Sequence, residues 1–524
     1  MAHCYRSFLL CTFLAGFAIG IPSEATEKLQ VVPGQTHQTM EGFGASDAWN
    51  GEFIGRYWSA EEKEKAVRLL FSTGWDEDGR PEGAGLSVWR VNIGAGSSEQ
   101  GEASGISNPT RRASSYLDTD GEGWDWSRSP GQRWLLEQAK LRGVDQFVAF
   151  SISPHVSQTK NGLGRATGEI RSNLRDDAYA DYAAYLLRVL RFYRDEMGVD
   201  FDYLSPLNEP QYPWNTAKQE GCSYTNAEIA RLVRVLDEQL QDTDLAARLL
   251  IPEAAEWKSL TTVHKDPQFS NQLEALFSPE SPHFVGDRPR LAPVAAAHSY
   301  WLNSTHEQIR GTRTAARDKA QSLGVGLRQT EYSLIDLARI EEDKPQTRWD
   351  IALFIGKVIL ADLKYASVNG WSFWVAFEQD IWDFRNQFQL IRIEAEDKDD
   401  LSKGGCLVPE KNLWVMAHFS RIVRPGWQRI GLEGADDLDG LAGVAFRSPD
   451  NTQTALVLLN LGEEPLAREL SEVAKNKDSG VKAWTTSADD IFRPLQMNTG
   501  GDASLTFPPR SITTVLINDK ISHE

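Results

Sequence analysis

The sequence predicts an α/β fold: a (β/α)8 barrel followed by an antiparallel β-sandwich, with an early N-terminal strand joining the sandwich. Three observations carry this. Strand-like and helix-like runs alternate through residues 41–374, with eight strand-like runs in all, which is the pattern of a parallel barrel. Beyond about Arg429 the helical period stops and short alternating apolar runs replace it. Two glutamates, Glu209 and Glu331, each close a strand-like run, and the C-terminal strand ends are where a barrel carries its chemistry.

Taken in order, residues 1–25 read as a secretory signal. Arg6 precedes an apolar run from Phe8 to Ile21, and Ser23-Glu24-Ala25 offers small residues for cleavage. That run is short for a bilayer span, so a secreted or periplasmic protein is expected, with no membrane contact once the signal is removed. Residues 26–40 alternate weakly, and 29–32 are expected to pair with the sandwich. The barrel is expected over 41–425, with strands at 41–46, 86–93, 146–153, 201–207, 248–252, 293–300, 324–330 and 370–374. Helical patterns lie between them at 60–72, 131–142, 177–197, 226–240, 268–277, 307–322 and 349–366. Two connections are too long for turns: 94–130, ending in Trp124-Asp125-Trp126, and 375–409, holding Trp382 and Phe384. Both follow strands, so both are expected as cleft walls. The sandwich is expected over 426–524, with strands at 442–447, 454–460, 482–486 and 512–518.

Composition narrows the partners. The formal net charge is −19 and no basic run exceeds Arg111-Arg112, which argues against nucleic acid or anionic lipid. An uncharged polymer fits better. A large core accounts for part of the 17 Trp; the rest suit a cleft that stacks on the apolar faces of sugars. With nine His, no HExxH and no Cys/His cluster, neither a metal nor another cofactor is expected. Gly94-Ala95-Gly96 is too short for a nucleotide loop, and no Gly-x-Ser-x-Gly elbow is present. Cys222 and Cys406 remain after signal removal, either as one disulfide or as free thiols. A monomer is expected.

Two carboxyl groups at the ends of two barrel strands suggest glycoside hydrolysis, in which one protonates the leaving oxygen and the other attacks the sugar carbon or activates water. Arg90, inside Ser87-Val88-Trp89-Arg90-Val91-Asn92, is a charge in an apolar strand and needs a carboxylate partner. Asp47 follows the first strand, where it either grips sugar hydroxyls or caps a helix. Trp371 and Trp374 end the eighth strand as sugar platforms or core. Glu253, Glu256, Trp214 and Trp382 are weaker candidates for the cleft wall.

An ordered set of motifs resembles glycoside hydrolase family 30, in the clan of retaining (β/α)8 β-glycosidases. The pieces are Glu41-Gly42-Phe43-Gly44-Ala45-Ser46, Ser153-Pro154 with Thr159-Lys160-Asn161-Gly162, Leu207-Asn208-Glu209-Pro210, Thr330-Glu331-Tyr332, and the run from Met416 to Gly426. Asn92-Ile93-Gly94-Ala95-Gly96, Asp125-Trp126-Ser127 and Gly131-Gln132-Arg133-Trp134 are most similar to the endo-β-1,6-galactanase branch. The resemblance implies that Glu209 is the acid/base, which must hold a proton near neutral pH, and that Glu331 is the nucleophile. It implies that Asn208 bonds the sugar 2-hydroxyl, that Arg90 pairs with Glu331, and that Tyr300 or His298 orients the nucleophile beside Trp301. The branch carries aromatic residues after Ser-Pro-Pro, whereas this chain has Ser153-Pro154-His155-Val156; His155 is expected to stand in for part of that floor. The implied activity is endo-hydrolysis of β-1,6-galactan, as in arabinogalactan side chains. β-1,6-Glucan, xylan, or sugar binding without turnover are the rivals.

Overall fold

The computed structural model describes residues 27–335, 347–380, 385–470, 480–498 and 503–518. The expected signal segment, Trp382 and Phe384 lie outside them. The first strand, β1 (Gln30–Thr39), is followed by eight parallel strands that close into a barrel: β2 (Gly42–Asp47), β3 (Val88–Asn92), β4 (Gln146–Phe150), β5 (Tyr203–Ser205), β6 (Arg248–Ala254), β7 (Leu291–His298), β8 (Gly326–Tyr332) and β9 (Gly370–Phe373). Parallel strands are covered on both faces, so their sequences run apolar without alternation; Phe147-Val148-Ala149-Phe150 in β4 is buried throughout. The pairing of β2 with β9, from Gly42 opposite Gly370 to Ala45 opposite Phe373, closes the ring.

Helices cover the outside because their apolar stripes need the barrel wall. The helix Tyr179–Met197 buries Tyr182, Leu186, Val189, Leu190 and Tyr193, and Gly198 in the left-handed region (φ 61°) ends it. The helix Asn226–Gln241 starts at a capping box between Thr225 and Glu228. The helix expected over 268–277 is broken. A 3-10 turn, Pro267–Phe269, comes first, then Asn271 at φ 52°, and only Gln272–Phe277 is α-helical. Pro267 and the left-handed Asn271 interrupt the hydrogen-bond ladder that the apolar spacing alone suggests. The long segment after β9 carries a small sheet of β10 (Phe377–Glu378), β11 (Ile391–Ala395) and β12 (Gly405–Pro409).

The C-terminal lobe is antiparallel. Strands β13 (Gln428–Glu433), β14 (Leu441–Arg447), β15 (Gln453–Asn460), β16 (Leu466–Glu469), β17 (Val481–Thr486), β18 (Arg493–Pro494), β19 (Ser504–Phe507) and β20 (Ser511–Asn518) form two sheets, one ordered β1-β13-β14-β15-β20-β17-β18 and one of β16 with β19. The early strand β1 pairs with β13, Val31 opposite Leu432. The lobes pack directly. Trp349 Nε1 donates to the Arg510 carbonyl at 2.9 Å, and the buried His418 lies between the Thr486 and Thr514 hydroxyls at 2.7 and 2.8 Å. Among the described residues, no helix is long and apolar enough to cross a membrane. Cys222 and Cys406 are both free.

Candidate active site

The C-terminal ends of β3, β5, β6, β7 and β8 bring five ionisable side chains into one buried cluster: Arg90, Glu209, Glu253, His298 and Glu331. Arg90 projects from β3 across the barrel. Its Nη1 donates to Glu331 Oε2 and to Ser46 Oγ, both at 3.1 Å. Its Nη2 reaches Asn208 Oδ1 at 3.4 Å and lies 3.7 Å from Glu253 Oε2. The guanidinium sits 3.6 Å over the Phe150 ring and 6.0 Å from that of Trp374, so aromatic faces replace part of its lost hydration.

Glu209 follows β5 with its backbone in the left-handed region, φ 44°, a conformation that non-glycine residues adopt mostly where the surroundings impose it. Its N–H donates to the Glu253 carbonyl at 2.9 Å, and its carbonyl accepts from Trp214 Nε1 at 3.2 Å. His298 bridges two carboxylates: Nδ1 is 3.0 Å from Glu209 Oε1 and Nε2 is 3.1 Å from Glu253 Oε2. With an acceptor at each nitrogen, the ring donates twice and is an imidazolium. Burial alone would push its pKa down; the carboxylates of Glu331, Glu209 and Glu253 overturn this and raise it to about 10. Glu331 Oε1 accepts from the Tyr300 hydroxyl at 2.9 Å. Burial pushes the Glu331 carboxyl up, and neighbouring Glu209 adds to this, against the pull of His298, Arg90 and Tyr300. One ligand atom each of Glu209, His298 and Glu331 lie within 4.8 Å of one another. That spacing would suit a cation, but His298 has both nitrogens committed to carboxylates and no lone pair to offer.

Several expected residues lie elsewhere. Ser46 points inward to Arg90, so Asp47, next along β2, alternates outward to the helix layer. A Cβ at Gly51 would meet its Oδ1 at 2.3 Å, and it caps no helix end. Burial, with Glu52 nearby, raises its carboxyl to about 8. Trp371 is fully buried on the outer face of β9, its Nε1 donating to Asp362 Oδ2 at 2.8 Å; it is core, not a platform. His155 is also fully buried. Its Nε2 lies 3.2 Å from the Leu117 carbonyl and its Nδ1 2.8 Å from Ser157 Oγ. It pins two loops together and offers no cleft floor. Burial lowers it to about 4. Trp374 does reach the cluster, packed edge-on to Trp49 at 5.3 Å. Trp301 is half-buried and tilted on Tyr300 at 5.6 Å. Glu256 pairs with His264 at 3.4 Å.

Sequence reasoning places Glu253 only as a cleft wall, but it is a hub. Ser205 Oγ donates to its Oε1, and Thr330 Oγ1 donates to Oε2 at 2.5 Å. Burial would raise its carboxyl, yet Arg90, His298 and Ser205 hold it down to about 2. Irregular pairing of β6 with β7 and a left-handed Glu253 (φ 54°) break the alternation that would reveal its direction. Glu220 lies in no motif that marks it in the sequence. Burial lifts it to about 7, and it holds the Gly94-Ala95-Gly96 turn through the backbone N–H groups of Ala95 and Ser97 at 3.0 and 3.1 Å.

Comparison with known proteins places the chain in a family. The chain is similar to an endo-β-1,6-galactanase of Hypocrea rufa, 25% identical over 240 residues, covering 43% of this chain and 49% of that protein; the match thus spans about half the length of that curated relative. A crystal structure of a conserved exported protein from Bacteroides fragilis superposes with a TM-score of 0.86 at 26% identity, over 94% of this chain and 100% of the other. The catalytic domain of xylanase C from Talaromyces cellulolyticus shares the fold, with a TM-score of 0.67 at 20% identity over 94% and 100% of the two chains. The family model for O-glycosyl hydrolase family 30 matches residues 26–387, and that for the glycosyl hydrolase family 30 beta sandwich domain matches 426–515. On the extent of these two matches, which together take in most of both lobes, the chain belongs to O-glycosyl hydrolase family 30.

Proposed function

We propose that the chain is a secreted, retaining endo-β-glycosidase that cleaves β-1,6-galactan, as in arabinogalactan side chains, by double displacement. The observation that carries the reading is the closeness of Glu209 and Glu331, one carboxyl oxygen of each within 4.8 Å of the other. Retaining enzymes hold their carboxyl groups about 5–5.5 Å apart, whereas inverting ones leave room for a water. In the first step Glu331 attacks the anomeric carbon while Glu209 protonates the departing glycosidic oxygen. In the second, Glu209 takes a proton from water, the water oxygen attacks the same carbon, and the bond to Glu331 breaks. Arg90 and Tyr300 hold Glu331 on both oxygens. Asn208 turns its Oδ1 to Arg90, and its amide N–H bonds the 2-hydroxyl. Trp374 serves as the sugar platform. Similarity to the Hypocrea rufa galactanase supports the substrate; the signal-like N-terminus and the likeness to an exported protein support secretion.

The test is hydrolysis of β-1,6-galactan, β-1,6-glucan, xylan and arabinogalactan by the wild type and by Glu331→Ala. Oligosaccharide release from β-1,6-galactan and arabinogalactan, abolished in the variant, is expected. Release only from glucan or xylan would overturn the substrate, and binding without release from any polymer would overturn the activity.

A further inference from the structure

Three carboxyl groups surround His298: Glu209 at 3.0 Å, Glu253 at 3.1 Å and Glu331 at 3.8 Å. The reaction proposed above changes the charge of two of them. Before the first step Glu331 is the anion and Glu209 carries the proton. After it, Glu331 is a neutral ester and Glu209 a carboxylate. Glu253 forms and breaks no bond, so its charge is constant. We propose that Glu253 is a positioning residue, the permanent counter-ion that keeps His298 a double donor through both steps. Glu209 then gives up and regains its own proton without drawing one from the imidazole. This inference rests on the roles assigned to Glu209 and Glu331.

The geometry holds Glu253 to that task. It has no exposure to solvent, and its carboxylate accepts from Ser205, Thr330 and His298 with Arg90 at 3.7 Å. A buried carboxylate with this many donors stays ionised. Glu253 also reaches Glu209 twice: its carbonyl takes the Glu209 N–H at 2.9 Å, and its carboxylate, through His298, fixes the Glu209 side chain. The charged or titratable groups facing His298 are Arg90 from β3, by way of the carboxylates it holds, Glu209 after β5, Glu253 from β6, Tyr300 just past β7 and Glu331 from β8. Of the three carboxyls, the two outside β6 exchange one negative charge between them during turnover.

The first experiment needs no variant. The ring-nitrogen NMR signals of His298 in the wild type are expected to stay those of an imidazolium from pH 5 to pH 8; a neutral ring below pH 8 would overturn the proposal. The second compares pH profiles. Removing a fixed buried negative charge makes the cluster release a proton sooner, so Glu253→Gln is expected to move the alkaline limb of kcat/KM down by about one unit or more, and Glu253→Asp to restore it. A Glu253→Gln profile lowered evenly, with both limbs in place, would reduce Glu253 to a packing role. Full turnover by Glu209→Ala would overturn the roles underneath this inference, and the wild-type His298 signal tells that failure apart from failure of the counter-ion.

Discussion

Each end of the barrel buries an arginine among the strands, and the two are surrounded differently. At the N-terminal end Arg328 meets one carboxylate, Glu41, at 2.5 Å. Tyr203 and Asn369 donate to the same carboxylate at 2.9 and 2.7 Å, and Gln146 takes the other guanidinium nitrogen. Gly370 leaves room for it, since a Cβ there would lie 2.7 Å from the guanidinium carbon. The charges of Arg328 and Glu41 balance, so the floor is a plug. At the C-terminal end Arg90 and His298 face Glu209, Glu253 and Glu331. Three carboxyls against two cations leave one anion in excess, and a single proton on one carboxyl restores neutrality. On the mechanism proposed above, that proton is the one Glu209 gives up and regains.

That contrast predicts opposite outcomes for substitutions at the two ends. The largest is at the mouth: Glu331→Ala should lower kcat by on the order of 10⁴-fold or more, with the melting transition retained. Tyr300→Phe removes one donor from Glu331 and should lower kcat by about 10–100-fold with KM nearly unchanged. At the floor, Arg328→Met should leave kcat within about twofold. It should cost about 2 kcal/mol in urea unfolding, less than for a fully buried pair because the Glu41 side chain is 31% exposed. At Asp47, between the barrel wall and the helices, the effect is read as a dependence on pH. The folded chain keeps a proton on Asp47 up to about pH 8, whereas the unfolded chain releases it above about pH 4. Stability owed to this group therefore falls as pH rises between those values. Asp47→Asn should remove that slope, so its melting temperature relative to wild type should rise from pH 5 to pH 8; a flat difference would contradict the buried, protonated Asp47.

Much of this is legible in the chain itself. Alternating strand and helix patterns give the barrel, and the switch to short alternating runs gives the sandwich. Arg90 stands out as a charge within an apolar run, and Glu209 and Glu331 each close one. What is not legible is direction at strand ends. Ser46 and Asp47 are adjacent, yet one enters the cluster and the other the helix layer, and a shift of one residue exchanges them. Trp371 and Trp374 look alike in sequence, but Trp371 lies on the outer face of β9 whereas Trp374 falls past its end. Glu253 is hidden by the irregular end of β6. His155 carries no signal that separates a loop pin from a cleft floor.

The central claim is double displacement through Glu331, and the most direct test is the anomeric configuration of the first product. Proton NMR of β-1,6-galactan during the first minutes of hydrolysis, before mutarotation, reads it. The account predicts that the new reducing end appears as the β-anomer and relaxes to the mixture. Initial appearance of the α-anomer would mean a single inverting displacement and would contradict the role given to Glu331.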